Sequence, residues 1–303
     1  MARKLTPRKR VLQALRVCVP QLGVNSLRRF EHGWDNHVYE LNHSLVAKLS
    51  KSSVGGFKLL KEACLLPHLR AELGEIIPRE LAKCVVNIEG EECVLLVYEA
   101  IRGWVSTQRG MRLTTSTHEV CHMLAQLMEK IHSISPPNEC SEMVPVHDTP
   151  RKWAEALRSE VFRLIDMAGS ALPSRLRNTI LERVVEYAKR LQSLGFTPKL
   201  IHGDIDPRNL LVDDTGCLVG LIDWGEAAVG DPAIDYAGLF YVEEHIGKHV
   251  LEIQREEYPQ YLSPRVGFHR DLAPLYWVAY GASSGNHNLT EAGLRLLRES
   301  FPS

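Results

Sequence analysis

Residues 200–235 read LIHGDIDPRNLLVDDTGCLVGLIDWGEAAVGDPAID. Two short apolar runs, separated by the turn signal DDTG, follow Asn209 and predict a β-hairpin. Asp204 stands five residues before Asn209, and Asp223 ends the second apolar run. The segment therefore predicts a strand, a loop, a hairpin and a second loop, with three ligand-type side chains at fixed spacings.

These three side chains suit phosphoryl transfer. That reaction needs an acceptor hydroxyl held in line, a carboxylate to take its proton, and metal ions to neutralise the phosphates. Two oxygen ligands at the base of one hairpin can hold Mg²⁺, a hard cation that prefers oxygen donors. We therefore assign Asn209 and Asp223 to the metal and Asp204 to the base, the spacing found in kinase catalytic loops. The alternative, that the carboxylates only cap turns, leaves the joint spacing unexplained.

The stretches HGDIDPRNLLVD and IDWGEAAVGDPAIDYA resemble the aminoglycoside phosphotransferase family, a branch of the kinase-like fold. That family also holds macrolide kinases and several metabolite kinases. His202 and Gly203 stand where protein kinases have His-Arg. Asp223-Trp224-Gly225 stands where they have Asp-Phe-Gly. The match is dense in this segment and thin elsewhere.

The resemblance implies an α+β chain with a bilobal, protein-kinase-like fold. Its small β-rich N-terminal lobe would bind nucleotide and comprise residues 1–101, with a hinge near residues 99–103. The larger, mainly helical C-terminal lobe would comprise residues 102–303 and carry the catalytic and acceptor sites. The HRD and APE signatures are absent, and no activation segment follows Asp223, which disfavours a protein kinase.

Composition sets wider bounds on the function. The chain has 303 residues, of which 45% are hydrophobic and 24% charged, and its net charge of −1 argues against general nucleic-acid binding. No apolar run is long enough to span a membrane, and the basic N-terminus continues into VLQALRVCVP, whose polar residues are unlike a secretory signal. The seven cysteines are scattered without a CxxC pair, which indicates reduced thiols and neither a disulfide framework nor a zinc site. We expect a cytoplasmic monomer.

The first lobe contains a turn, Gly33-Trp34-Asp35-Asn36, with an extended pattern on both sides. It resembles the GWDN turn of part of the aminoglycoside kinase family. The resemblance implies that backbone N–H groups at Gly33 and Trp34, helped by the Asn36 side chain, contact nucleotide phosphates. An ordinary hairpin turn is the alternative for this piece alone.

Lys48 is the lone charge in the apolar run LVAKL. Such a lysine either reaches solvent or pairs with the α- and β-phosphates, as the strand lysine of kinases does. Glu62, in the helical run FKLLKEACLL, is the expected partner, with Glu72 and Glu75 as rivals. Pro67 should kink or end that helix.

A second hairpin is predicted around EGE at residues 89–91. The run CVLLVYEAIRG at residues 93–103 is read as its buried second strand followed by a short connection. By resemblance this is the hinge, where a purine would bond to backbone groups near Glu99 and Ile101. Tyr98 would flank the base, or it packs in the core. Backbone contacts leave no side-chain signature, so ATP and GTP both remain possible donors.

The second lobe is predicted to be helical. A capping box of Ser116 and Glu119 starts a helix over residues 116–134, and further helices are predicted over residues 151–168 and 174–194. In the resembled family, this helical region and the last helices build the acceptor site. Asp231 and Asp235 are read as structural supports after the metal loop.

The candidate acceptor contacts are Asp206, Arg208, Glu226 and Glu243. Acidic residues near a cleft would attract polycationic aminoglycosides, whereas aromatic residues such as those near Trp277 would suit a flatter macrolide. The sequence leaves this choice open.

The leading hypothesis is an Mg²⁺-dependent small-molecule kinase that transfers the γ-phosphate of ATP or GTP to a hydroxyl of an aminoglycoside or macrolide antibiotic and so confers resistance. The first alternative keeps the mechanism with a metabolite acceptor, such as choline, homoserine, methylthioribose or a fructosamine. The second is a catalytically silent kinase-like binding protein, which the intact set of key side chains disfavours.

Overall fold

The computed structural model describes residues 5–30, 33–106, 117–254 and 262–302. The chain forms two compact units, the first made of Met1–Ser116, Ile134–Pro145 and His202–Ala227, and the second of Thr117–Ser133, Val146–Ile201 and Ala228–Ser303. The predicted lobe boundary near residue 101 is a different division, because it separates residues 202–227 from the N-terminal sheet. That boundary stays a prediction.

The chain is a mixture of helices and strands, as predicted. The strands are β1 Leu27–Phe30, β2 Asn36–Leu41, β3 Leu45–Ser50, β4 Glu80–Ile88, β5 Glu91–Glu99, β6 Trp104–Val105, β7 Lys199–Ile201, β8 Leu210–Val212, β9 Leu218–Leu221 and β10 Ala228–Gly230. The helices are α1 Pro7–Cys18, α2 Ser53–Leu73, α3 Thr117–Ser133, α4 Pro150–Ala168, α5 Ser174–Leu194, α6 Ala233–Val242, α7 Glu244–Ile253, α8 Leu262–Leu272, α9 Pro274–Ser284 and α10 His287–Ser300.

The first unit contains an antiparallel five-stranded sheet in the order β1-β2-β3-β5-β4. Alternate residues of β2 and β3, among them Tyr39, Leu41, Ala47 and Leu49, are buried with Val11 and other residues of α1. These side chains share one face of the sheet because successive residues of a strand point to opposite faces, and Lys48 and Ser50 of β3 are buried on the other face. Each fully buried aliphatic side chain contributes about 1.5–3 kcal/mol to folding stability. This core therefore fixes the strand register, and with it the face of the sheet to which each β3 side chain points.

Helix α2 is longer than predicted. The Ser52 side chain caps its start by accepting a hydrogen bond from the Gly55 N–H, and the helix continues through Pro67 to Leu73. Of the two expectations for Pro67, that it kinks or that it ends the helix, the second is wrong. A proline inside a helix costs about 3 kcal/mol, but buried side chains on both sides of it, including Leu59 and Leu69, anchor the helix across the defect.

Four of the seven cysteines form two disulfides, Cys18–Cys84 and Cys64–Cys140, so the prediction of reduced thiols throughout is wrong for them. The fold brings α1 to β4 and α2 to the 3₁₀ turn Asn138–Cys140, which places the paired Cα atoms 6.0 and 5.9 Å apart. Partners 66 and 76 residues apart leave no local sequence signal. Disulfides are rare in cytosolic proteins, and the cytoplasmic location stays a prediction.

The predicted hairpin of residues 210–222 is present as β8 and β9, and β6 extends it to three strands. The Ile222 N–H donates to the Asn209 carbonyl at 3.0 Å and closes the base of the hairpin. Gly220 packs closely against the segment before β6, because a Cβ there would lie 3.0 Å from Cδ1 of Ile101. The loops on both sides of the hairpin are therefore held at one end of it.

The second unit is mainly helical. The helices predicted over residues 151–168 and 174–194 are confirmed as α4 and α5, and each ends at a glycine with positive φ, Gly169 at 52° and Gly195 at 62°. That conformation suits glycine as a helix C-cap. Helix α3 is also present, but Ser116 of the predicted capping box lies outside the described residues.

The core of the second unit is formed where α4, α5 and the last helices pack together. Its buried residues include Leu164, Ile180, Leu275 and Leu297. A short ladder of β7 and β10 joins this unit, and Gly230 lies so close to Trp153 that a Cβ would meet the indole at 2.4 Å. Across the described ranges, no helix has both the length and the apolar character needed to cross a membrane.

Candidate active site

Lys48 lies at the centre of a buried charge cluster in the first unit. Its ammonium nitrogen is 2.9 Å from both carboxylate oxygens of Glu62 and 3.1 Å from Oδ1 of Asp223. β3 supplies the lysine, α2 the glutamate and the loop after β9 the aspartate. Glu62 is fully buried and Lys48 is 3% exposed, whereas the Asp223 side chain keeps 46% exposure. The cluster thus presents one carboxylate to solvent.

The charges of this cluster hold each other in the ionised state. Burial alone would lower the pKa of Lys48, but the carboxylates of Asp223 and Glu62 raise it well above its usual value. Burial opposes ionisation of Asp223 as well, yet the Lys48 ammonium keeps the pKa of that carboxyl below its ordinary range. The Tyr98 ring lies 5.6 Å from the Lys48 nitrogen, and burial raises the pKa of its hydroxyl.

The predicted catalytic loop, residues 202–209, is held by a buried histidine, His202. Its Nε2 faces the Ile222 carbonyl at 3.1 Å, so this nitrogen carries the proton. Nδ1 then accepts a hydrogen bond from the Asp204 N–H at 3.2 Å. The Asn209 amide donates to both the carbonyl and the Oδ2 of Asp204, at 2.9 and 3.0 Å. These bonds tie the loop to the base of the hairpin.

The carboxyl of Asp204 has a pKa above its ordinary value. Its removal from bulk water, reinforced by the negative charges of Asp223, Asp206 and Glu226, raises its pKa to about 7. A carboxyl with a pKa near neutrality can both accept and release a proton at physiological pH. This property fits the predicted base.

The residues predicted to hold a metal fit that task. The Asn209 side chain uses its nitrogen for both bonds to Asp204, which leaves its amide oxygen as a donor for a cation. Asp223 supplies an ionised oxygen across the hairpin base from Asn209. No cluster of three His, Cys, Asp or Glu ligands occurs in the described part of the chain. A site with two protein oxygens suits Mg²⁺, which keeps waters and takes substrate phosphates as ligands.

The turn at residues 33–36 is braced by two lysines. The Lys51 ammonium contacts the carbonyls of Gly33 and Trp34 at 2.6 and 3.0 Å, so these dipoles are neutralised and do not oppose a nearby anion. Lys58 of α2 bonds Asp35 at 2.7 Å. The nucleotide-binding roles of Gly33, Trp34 and Asn36 stay predictions.

The hinge segment uses some of its backbone donors internally. The Glu99 N–H donates to the Arg79 carbonyl at 3.0 Å, and the Ala100 N–H to the Ser44 carbonyl at 2.9 Å. The Glu99 side chain pairs with Arg79. The N–H groups of Glu99 and Ala100 are thus already bonded within the protein, and the purine contacts near Glu99 and Ile101 stay a prediction.

The predicted acceptor residues divide between the two units. Asp206, Arg208 and Glu226 belong to the first unit with Asp204. Glu243 belongs to the second, where it pairs with His245 at 3.1 Å, and its role stays a prediction.

The two later aspartates also lie in the second unit and have structural partners. Asp231 is buried and bonds Arg265 at 2.8 Å and the Ala233 N–H at 3.0 Å. Asp235 is buried and bonds His132 at 3.1 Å. Both observations agree with the structural reading.

Comparison with known proteins decides the family. The sequence model of the phosphotransferase enzyme family matches residues 26–273. The chain belongs to this family.

Curated relatives match this family member over short segments. Viomycin phosphotransferase of Streptomyces vinaceus is 32% identical over 104 residues, which are 32% of this chain and 32% of that protein. The uncharacterised protein YcbJ of Bacillus subtilis (strain 168) is 52% identical over 42 residues, or 14% of this chain and 13% of that protein. The chain thus spans a third or less of the length of each.

Solved structures of the family match over nearly the whole chain. The GDP and kanamycin complex of APH(2″)-IIia superimposes with a TM-score of 0.75 at 23% identity, covering 95% of this chain and 97% of that one. The streptomycin–ATP complex of APH(2″)-IIa gives 0.65 at 19% identity, covering 96% and 97%. Macrolide 2′-phosphotransferase type I gives 0.65 at 20% identity, covering 98% and 99%. These matches establish the predicted kinase-like α+β phosphotransferase fold.

Sequence reasoning missed two lysines of this family member. Lys58 lies between Asp35 and Glu226 and contacts both carboxylates. Lys61, which sequence alone allows on a solvated helix face, is buried and donates to the Ala227 carbonyl at 2.8 Å. Burial lowers its pKa to about 8. For Lys58 the four-residue spacing from Glu62 was the available signal, since it places both residues on one side of the helix. Lys61 is adjacent to Glu62 and gave no such signal.

Proposed function

We propose that this protein transfers the γ-phosphoryl group of a nucleoside triphosphate to a hydroxyl of a small antibiotic-type molecule. The observation that carries the proposal is the buried Lys48, bonded to Glu62 and Asp223, in the same compact unit as the Asp204–Asn209 pair. A lysine buried at this depth keeps its charge only among carboxylates. On arrival of the nucleotide, it can share that charge with phosphate oxygens.

Each chemical step has a residue suited to it. The acceptor oxygen attacks the γ-phosphorus, and its proton passes to the Asp204 carboxylate. The bond between the γ-phosphorus and the β–γ bridging oxygen breaks, and its electron pair leaves with the nucleoside diphosphate. Lys48 balances negative charge on the phosphates, while Glu62 keeps the lysine oriented.

Asn209 and Asp223 would hold Mg²⁺, which supplies charge neutralisation of the nucleotide phosphates when bound. The Lys48 contact keeps Asp223 ionised before any cation arrives. The bond from Asn209 to Asp204 couples the metal ligand to the base, so both are set in one geometry.

The electrostatics of the loop support a cationic acceptor. Asp223, Asp206 and Glu226 together raise the pKa of Asp204, so negative charge prevails around this carboxyl even though each of the three is paired with a cation. Opposite charge speeds association and selects partners. Aminoglycosides and viomycin-type peptides are cationic, so we propose them ahead of macrolides, with resistance as the biological result. A metabolite kinase for a cationic alcohol such as choline is the second candidate that the same observation favours.

The test is a turnover screen. Purified protein would be assayed with ATP and with GTP against aminoglycosides, viomycin, macrolides and metabolite alcohols, with Mg²⁺ present. Asp204→Asn is the control, and we expect its kcat to fall by about 10²–10⁴, the range for a positioned acid–base group. Asp148→Asn, which removes an exposed carboxylate paired with Lys152, should leave turnover unchanged. If the wild-type protein phosphorylates none of these acceptors, the proposal is wrong.

A further inference from the structure

Arg208 is fixed in the catalytic loop by a two-pronged ion pair with Asp206. Its Nε lies 2.6 Å from Oδ1 and its Nη2 lies 3.0 Å from Oδ2, and its backbone N–H also donates to Oδ1 at 2.8 Å. Bidentate pairs of this kind fix the plane of a guanidinium group. Asp206 is therefore paired with Arg208, and its contact with the acceptor stays a prediction.

The other edge of the guanidinium remains available. Within the described ranges, Nη1 of Arg208 donates no hydrogen bond, and the side chain is 41% exposed. A guanidinium carries five N–H donors, so the Asp206 pair leaves a second fork for a ligand. A fixed cation with a free fork matches the oxygens of a phosphoryl group.

Two neighbours locate this fork. The Trp34 ring, on the turn expected to cover the phosphates, lies 5.8 Å from the guanidinium carbon. Burial lowers the pKa of Arg208, but the charges of Asp206, Asp204 and Asp223 raise it, and the guanidinium in turn limits the rise in the pKa of Asp204. The cation thus lies among the predicted base, the predicted metal ligand and the phosphate turn.

We propose that Arg208 is a catalytic residue that binds the oxygens of the γ-phosphoryl group during transfer, with Asp206 and Trp34 positioning it. This inference rests on the proposed function. During transfer the acceptor oxygen bonds to the γ-phosphorus and its proton goes to Asp204. The bond from phosphorus to the bridging oxygen breaks, and its electron pair leaves with the diphosphate. Negative charge spreads over the phosphoryl oxygens in this state. A preorganised cation stabilises that state more than the ground state.

The simpler alternative is that Arg208 only braces the loop through Asp206. The two ideas differ in where the loss falls. A brace supports the fold, so its removal lowers Tm and disturbs nucleotide binding. A group that acts on the transferring phosphoryl lowers kcat and leaves the KM for nucleotide nearly constant.

The experiment compares Arg208→Met with Arg28→Met. Arg28 forms the same type of bidentate pair, with Glu40 at 2.9 and 3.1 Å on β1 and β2, and has no place in the proposed site. We expect Arg208→Met to lower kcat by about 10²–10³, with partial recovery on addition of millimolar guanidinium ion. Arg28→Met should have wild-type kcat. Arg208→Lys, which keeps the charge without the fork, should fall between wild type and Arg208→Met.

A binding measurement separates this inference from the proposed function. Affinity for Mg²⁺–ADP and Mg²⁺–GDP would be measured by calorimetry with and without aluminium fluoride, which mimics the transferring phosphoryl. Fluoride should tighten nucleotide binding to wild type and to Arg28→Met, and not to Arg208→Met. Equal tightening in Arg208→Met, or a Tm loss with no recovery by guanidinium, would overturn the role of Arg208 and leave the proposed function standing. Wild-type protein that binds neither nucleotide would overturn both.

Discussion

Lys48 and Glu62 form a buried ion pair in which the ammonium nitrogen is 2.9 Å from each carboxylate oxygen. Taking two such charges out of water costs several kcal/mol per ion, and the pair recovers that only with good geometry. A hydrophobic pair would serve stability at least as well. The arrangement is understandable if the lysine must keep a fixed position for an anionic ligand.

This relationship leads to a double-mutant cycle. Lys48→Ala and Glu62→Ala should each lower kcat/KM for nucleotide, but their effects should not add, because both act on one interaction. The double variant should therefore be little worse than Lys48→Ala alone. Lys83→Ala with Glu80→Ala is the control cycle at a pair 3.9 Å apart, in which the lysine is exposed and the glutamate half-buried, and it should change kcat/KM little. Additive losses at Lys48 and Glu62 would show that the residues act independently.

Much of the site was predictable because it is written in local spacing. Asp204, Asn209 and Asp223 belong to one loop–hairpin–loop segment, so their meeting follows from the hairpin alone. The isolated charge of Lys48 in an apolar strand was a second local signal. The choice of Glu62 over Glu75 needed the structure, which places Glu75 beside Arg70 at 4.0 Å.

Other features were beyond the sequence because they depend on long-range packing. Nothing local joins Cys64 to Cys140, and nothing local turns Lys61 toward the Ala227 carbonyl. At Pro67 a local signal was present, but it did not decide the structure. Its local effect is real, but burial of the helix on both sides outweighs it.

The metal loop gives a second prediction. Asp223 has φ +70°, a left-handed conformation that Asn and Asp tolerate better than Ala. Asp223→Asn should abolish turnover, because it removes the anionic Mg²⁺ ligand and the Lys48 partner, and should keep Tm within a few degrees of wild type. Asp223→Ala should lose the same activity with an added strain of about 1–2 kcal/mol. Thermal melts and Mg²⁺-dependent turnover of both variants provide the check, and Asp223→Asn with near wild-type turnover would contradict the metal assignment.

The disulfides give a third prediction. A native disulfide contributes about 2–4 kcal/mol, chiefly by restricting the unfolded chain. Reductant should therefore lower Tm, and the double variant Cys18→Ser with Cys84→Ser should lower it less than full reduction does, since Cys64–Cys140 remains. Variants at Cys217, an exposed free cysteine, are the control and should not change the response. Intact-mass measurement with thiol labelling would refute the pairing if all seven cysteines reacted without reductant.

His269 gives the last prediction, on the pH dependence of stability. It is 5% exposed in α8, its Nε2 lies 3.4 Å from the Tyr187 hydroxyl, and Trp153 packs edge-on at 5.8 Å. Burial, with the positive charge of Arg265, lowers its pKa to about 3, against 6.5 for an ordinary histidine. Between about pH 3 and pH 6.5, His269 is protonated in the unfolded chain and neutral in the folded chain.

Because the unfolded state binds more protons in that window, stability rises with pH from about 3 to 6.5 and falls as the solution is acidified. Each tenfold difference in proton affinity is worth about 1.4 kcal/mol, so this histidine should account for a few kcal/mol of acid destabilisation. His269→Gln keeps a polar side chain without the titration and should flatten the urea-unfolding free energy between pH 4 and pH 6.5, while lowering it at neutral pH. His287→Gln, at the start of α10 in the same unit, is the control, because this histidine is exposed to solvent. An unchanged pH slope in His269→Gln would place the acid sensitivity elsewhere.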